Sequence, residues 1–207
     1  GPYFDETPLK DSLGATLQEL QLDGDVNARL HLDIPLNGEL VTAKGEVTLR
    51  NNSLFIKPLD STLKNLSGKF SFINGDLQSE PLTASWFNQP LNVDFSTKEG
   101  AKAYQVAVNL NGNWQPAKTG VLPAAVNEAL SGSVAWDGKA GIDLPYHAGA
   151  TYNVELNGDL KNVSSHLPSP LAKPAGEPLA VNVKVDGNLN SFELTGQAGA
   201  DNHFNSR

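Results

Sequence analysis

Along most of this chain, apolar and polar side chains alternate with a period of two. Val26, Ala28, Leu30, Leu32 and Ile34 interleave with Asn27, Arg29, His31 and Asp33. The alternation returns in Val41, Ala43, Gly45, Val47 and Leu49, in Leu91, Val93 and Phe95, and in Tyr104, Val106, Val108 and Leu110. It recurs in Tyr152, Val154 and Leu156, and in Leu179, Val181, Val183 and Val185. Successive side chains of a strand point to opposite faces, so each run predicts a strand with one apolar and one polar side. Parallel strands covered on both faces would read as unbroken apolar runs, so this pattern predicts an antiparallel sheet.

The dipeptides Asp23-Gly24, Asn37-Gly38, Asn74-Gly75, Asn111-Gly112, Asp137-Gly138, Asn157-Gly158 and Asp186-Gly187 predict tight turns, because such pairs adopt the positive φ that hairpins require. Asn51-Asn52 is a weaker signal of the same kind. Residues 45–59 align without gaps on residues 68–82, and residues 132–145 keep the same spacing from glycine to proline. Each unit reads as one hairpin, which suggests an extended, stacked architecture. Pro35, Pro58, Pro81, Pro90, Pro170 and Pro178, each followed by Leu, predict strand ends, bends or edges. Helix is expected only over 8–20, where Leu9, Leu13, Leu17 and Leu20 share a face, and over 122–130, with Pro123 in its first turn. Residues 161–176, with three prolines, predict a long loop.

Composition then excludes several functions. The 207 residues contain no Cys, so disulfides, thiolate metal sites and cysteine nucleophiles are ruled out. A formal net charge of −8 and no basic run argue against nucleic acid as a partner. There is no Met, and Gly1-Pro2 reads as the remnant of a cleaved tag. Residues 3–207 are therefore expected to be a single segment cut from a longer protein. His31, His147, His166 and His203 show no metal-ligand spacing. The carboxylates sit mostly in turn signals, and no nucleophile elbow or phosphate loop occurs. Neither an enzyme nor a cofactor or metal is implied.

What remains is the apolar face itself. It comprises Leu30, Leu32, Ile34, Val47, Leu49, Phe70, Phe72, Trp86, Val93, Phe95, Val106, Val108, Leu110, Val134, Trp136, Val154, Leu156, Val181, Val183 and Val185. Two architectures accommodate it. One is a sandwich in which two inner faces seal a core, giving a structural or partner-binding module of the spacer or adhesin type. The other is a curled sheet whose inner face stays open as an apolar channel and requires a ligand. Periodicity does not separate them.

Three stretches carry a resemblance that does. Residues 30–59 (LHLDIPLNGELVTAKGEVTLRNNSLFIKPL), 63–97 (LKNLSGKFSFINGDLQSEPLTASWFNQPLNVDFST) and 167–179 (LPSPLAKPAGEPL) resemble the bacterial AsmA-like family, and the likeness extends over residues 3–207. The resemblance implies an extended, twisted antiparallel sheet curled into an open apolar groove, mostly β with one or two short helices. It implies a periplasmic segment of a protein anchored in the Gram-negative inner membrane. Such a protein would act as a bridge that carries phospholipid toward the outer membrane. The implied partners are phospholipid acyl chains, adjacent groove segments of the full-length protein, and an unidentified component on the outer-membrane side. The twenty apolar residues above would then line the groove.

Overall fold

The structure is a computed structural model that describes residues 20–199 and 202–207. The helix expected over 8–20 falls outside the described residues, apart from Leu20, which opens the first strand.

Fifteen strands follow in order: β1 (Leu20–Asp23), β2 (Val26–Asp33), β3 (Thr42–Ile56), β4 (Ser61–Ile73), β5 (Asp76–Ser79), β6 (Leu82–Trp86), β7 (Gln89–Glu99), β8 (Ala103–Trp114), β9 (Leu130–Gly132), β10 (Val134–Pro145), β11 (Thr151–Asp159), β12 (Val163–Ser165), β13 (Ala180–Asn188), β14 (Phe192–Ala198) and β15 (Asn202–Ser206). Thirteen of them form one antiparallel sheet, and β9 pairs only with β12. The main path runs β1-β3-β4-β5-β7-β8-β10-β11-β13-β14-β15. Strand β2 extends β1 along the same edge of β3, and β6 extends β5 between β4 and β7. The edges of this sheet do not meet, so it curls without closing. The sandwich expected as one alternative is not formed.

Helix is confined, among the described residues, to α1 (Ala124–Ala129) and single 3-10 turns at Lys57–Leu59 and Pro116–Lys118. Pro123 caps α1 at its N-terminus, close to where the sequence places it. Residues 161–176 are mostly loop, with β12 and an isolated bridge between Ser165 and Lys173.

A crease crosses the first ranks of the sheet. In β3 the register shifts around Asn51, whose φ is 53°, and in β4 it shifts around Asn65, whose φ is 54°. The outer rank breaks at Gly24 (φ 104°), and the rank beyond β4 breaks between Ser79 and Leu82, at Pro81. Each bulge inserts one residue, which reverses the parity of the strand beyond it. Leu54 and Ile56 thereby join Val47 and Leu49 on the apolar side, against a core of Leu49, Leu63, Leu66, Leu82, Ala84, Leu91 and Val93.

Several turn expectations are corrected by this topology. Asn74-Gly75 does close a two-residue hairpin between Ile73 and Asp76. Asn111-Gly112, Asp137-Gly138, Asn157-Gly158 and Asp186-Gly187 lie inside β8, β10, β11 and β13. Asp23-Gly24 kinks a continuing edge, with no hairpin. The repeat fails as a set of hairpins for the same reason. Only 68–82 contains one, whereas 45–56 is a single bulged strand and 134–145 a single straight one.

Candidate functional site

Directly paired residues in an antiparallel ladder present their side chains on the same face, so the register identifies which residues look the same way. One rung runs Leu82, Val93, Leu110, Gly138, Leu156, Val183, Gly196 and Phe204. The next runs Phe95, Val108, Ala140, Val154, Val185 and Leu194. A third joins Val106, Ile142 and Tyr152, and a fourth joins Trp136, Gly158 and Val181. Toward the other edge, Val47 pairs with Phe70, and Leu30 with Gly45 and Phe72. Trp114 pairs with Val134. Nineteen of the twenty residues expected to line the apolar face therefore sit on strands, and Ile34 lies just beyond the end of β2. Sequence reading missed Leu54, Ile56 and Leu63, which the bulges shift in parity, together with Leu66, Ile142, Leu144, Leu194 and Phe204.

The asparagine-glycine pairs inside strands serve both faces at once. Asn92 donates to Asn111 at 3.0 Å, Asn109 to Asp94 at 2.8 Å, and Asn182 to Asn157 at 2.6 Å, forming polar ladders across the outer face. The adjacent glycines point inward beneath bulky neighbours. A Cβ on Gly112 would stand 2.8 Å from Trp114 Nε1 and 3.1 Å from Trp136 Nε1. The dipeptide resembles a turn signal, and its glycine here makes room for indole rings.

The inner face is not sealed. Of the twenty residues, only Leu49 and Val93 are buried; Leu30, Leu32 and Ile34 are exposed, and the other fifteen are half-buried. On β8, β11 and β13, inward positions are more buried than outward ones except at Ala103, Glu155 and Asn182, so the apolar side is the inside of the curl. The chain exposes 13419 Å², whereas a compact protein of 22.0 kDa exposes roughly 9,300 Å². Granting the residues outside the described range the full area of an unfolded chain, about 3,300 Å², and comparing the rest with the roughly 8,600 Å² of a compact protein of the remaining mass, still leaves a surplus of about 1,500 Å².

The ends of the strands are chemically distinct from the middle. At one end the rings of Trp86, Phe87, Trp114 and Trp136 touch in sequence, with centroids 4.9 to 6.3 Å apart. At the other, Tyr104 packs with buried Leu144, and its hydroxyl donates to the Gly75 carbonyl at 2.6 Å and lies 2.6 Å from Thr97 Oγ1. There the Asp76 carboxylate accepts the Glu99 N–H at 2.7 Å and the Lys98 ammonium at 3.0 Å. The Glu99 N–H, and then Lys98, hold the Asp76 carboxyl below its ordinary 3.8. A group depressed on folding stabilises above its unfolded pKa, and that contribution disappears as pH falls through the lowered value. Asp76→Asn should therefore lower stability at neutral pH and flatten the acid limb of a urea-midpoint titration below about pH 4. An unchanged acid limb would remove Asp76 from that role. Burial raises the Tyr104 phenol above 10.0, so its contribution is present up to that pH and is lost as pH climbs further.

Among the described residues, no three His, Asp or Glu side chains gather into a group that could hold a metal. A hollow of about 660 Å³ is lined mostly from the outer face by Ser96, Gln105, Ala107, Gly141, Asp143 and Asn153, and offers hydrocarbon little. No helix among the described residues is long and apolar enough to cross a membrane.

These features define a one-layer, curled antiparallel β-protein with a half-exposed apolar interior between aromatic strand ends. The chain belongs to the YhdP family: the family described as "YhdP protein" matches residues 1–207. It is 98% identical over all 207 residues to the "Intermembrane phospholipid transporter YhdP" of Escherichia coli (strain K12), and it spans 16% of that relative's length. That relative is named a transporter, not an enzyme. No solved structure matches the chain. The resemblance read from residues 30–59, 63–97 and 167–179 is borne out at the level of family.

Proposed function

We propose that this chain is one length of an apolar conduit along which phospholipids move between the two membranes of a Gram-negative envelope. In this reading it lies in the periplasm as part of a longer protein anchored in the inner membrane. The observation that carries the proposal is the continuity of the inner face: apolar rungs run unbroken from β7 to β14 while remaining accessible. Burying a methylene is worth ~0.8 kcal/mol, so a phospholipid with about thirty acyl methylenes would face roughly 24 kcal/mol on entering water. A face of Val, Leu, Ile and Phe removes most of that cost, and the headgroup stays in solvent. Without a specific pocket no site traps the cargo, so a uniform lining favours sliding.

Dimensions agree with the role. Ten strand spacings separate the β1/β2 rank from β15, which at ~4.8 Å each makes the groove about 50 Å long. If the rest of the relative, of which this chain is 16%, were built at the same density, the sheet would extend ~300 Å. That is several times the ~40–45 Å of a bilayer. Adjacent segments would continue the groove at its edges. A passive lining sets no direction, so direction follows a lipid gradient or coupling to another component.

Photo-cross-linking in the full-length protein tests the reading. A benzophenone side chain at Leu110, Leu156 or Val183, each inward-facing, should capture phospholipid. The same probe at outward Asn109, Glu155 or Lys184 should not. Equal capture on both faces, or none on the inner one, would reject a conduit along this surface.

A further inference from the structure

Resting on the conduit reading above, we infer that the tryptophan end of the strands is a subsite for the glycerol-ester region of a phospholipid, which fixes how the lipid lies across the groove. The inner face is banded along each strand. In β8 the inward residues run Tyr104, Val106, Val108, Leu110, Gly112 and Trp114. In β10 they run from Trp136 through Ala140 and Ile142 to Leu144. Aromatic rings with a polar edge thus bracket an aliphatic middle. Tryptophan and tyrosine favour the boundary between hydrocarbon and the polar zone of a lipid, because their rings are apolar and their N–H or O–H seeks an acceptor. The lipid-facing surfaces of membrane β-barrels carry the same bands. Here the bands face the inside of the curl.

The two ends are not equivalent. At the tyrosine end the Tyr104 hydroxyl is committed to the Gly75 carbonyl and Thr97. At the other end Trp86 donates to Ser61 Oγ at 2.7 Å and Trp114 to the Pro90 carbonyl at 2.6 Å. The Trp136 indole N–H is buried against the Trp114 ring and has no acceptor among the described residues. Rotation of that ring would offer the N–H to an ester carbonyl, an acceptor of the matching chemistry. The ester region therefore lies at Trp86, Trp114 and Trp136, and the acyl chains run from there toward Tyr104. An acyl chain spans about half of the ~30 Å bilayer core, and ten residues of extended strand separate Trp114 from Tyr104, about 34 Å. A chain anchored at Trp114 therefore ends near the middle of the aliphatic band, short of Tyr104.

The chain holds three tryptophans, all in this cluster, so its tryptophan fluorescence, excited selectively over tyrosine, reports on this end alone. The 207-residue chain would be incubated with phosphatidylcholine vesicles carrying a nitroxide on the choline, at acyl carbon 5 or at acyl carbon 16. Bound lipid would be quantified by mass spectrometry. Zwitterionic lipid avoids repulsion by the net charge of −8. Quenching per bound lipid should be at least threefold stronger from the headgroup and carbon-5 labels than from carbon 16. Trp136→Phe should weaken lipid retention more than Tyr104→Phe does. Equal quenching from all positions, dominance of carbon 16, or bound lipid with no quenching would each overturn the subsite while leaving the conduit intact. If no lipid binds, the conduit reading fails and the subsite falls with it.

Discussion

Replacing Asn52 by alanine is expected to cost about 3 kcal/mol of stability and to detach β1 from the sheet, because a buried side chain loses three hydrogen bonds, each worth ~1 kcal/mol. Asn52 is 1% exposed in the centre of the crease. Its Nδ2 donates to the carbonyls of Asp23 at 3.1 Å and Asp25 at 3.2 Å, and its Oδ1 accepts the Arg50 N–H at 2.8 Å. These bonds bridge the break at Gly24, where the edge rank has no ladder of its own. Gly24 is required there, since its φ is 104° and a Cβ would stand 2.8 Å from Asn52 Nδ2. A urea titration would register the drop as a lower midpoint. Amide exchange should show faster opening at Arg50 and along β1. Asn52→Asp should fail as well, because it keeps the acceptor, loses the donor and buries a charge. A midpoint within ~0.5 kcal/mol of the parent would show that the crease is held by apolar packing alone.

The crease also marks the limit of what the sequence discloses. Period-two alternation identifies the long strands well, because the lattice of a sheet imposes it wherever one side is apolar. It loses the strand halves beyond Asn51 and Asn65, where one extra residue reverses parity. Leu54, Ile56 and Leu63 then look out of phase although they face the same interior. The asparagine-glycine pairs mislead for a different reason. Asparagine in a cross-strand ladder and glycine beneath an indole satisfy separate demands on opposite faces, yet together they spell a hairpin. Only knowledge of the neighbouring strand, which sequence does not supply, tells Asn74-Gly75 from Asn111-Gly112.

Away from the two bulges, which strand positions share a face was legible, because parity assigns it there. Whether that face is sealed was not, since a sandwich and an open curl place the same residues inward. The distinction lies in strand order: thirteen strands enter one sheet, and among the described residues no second large sheet is left to cover it. Banding along the strands was in the sequence, in Tyr104 and Trp114 at opposite ends of one alternating run. It becomes meaningful only when register brings Trp86, Trp114 and Trp136 together.

Val108→Asp is expected to reduce phospholipid occupancy of the groove by tenfold or more, the larger of the two functional effects available from a single substitution on this face. Val108 faces inward at the middle of the aliphatic band, paired with Phe95 on one side and Ala140 on the other, with Val154 and Val185 further along the rung. A carboxylate there keeps its own water, and acyl methylenes passing it cannot replace that water. The penalty for desolvating a charge is several kcal/mol, and even ~1.4 kcal/mol is a factor of ten in occupancy. A lipid sliding lengthwise has no route around a mid-band position, whereas Leu32, exposed on the edge strand β2, leaves room to pass, so Leu32→Asp should act more weakly. The site is half-buried, so the fold survives with water admitted from the open side. Ala107→Asp places the same charge one residue away, on the outer face between Ser96 and Gly141, and should leave occupancy unchanged. Val108→Phe keeps the face apolar and should retain lipid. Cross-linking yield at Leu156 in the full-length protein reads all four variants. Normal yield in Val108→Asp would mean that lipid does not travel along this face, and equal loss in Ala107→Asp would trace the effect to folding instead.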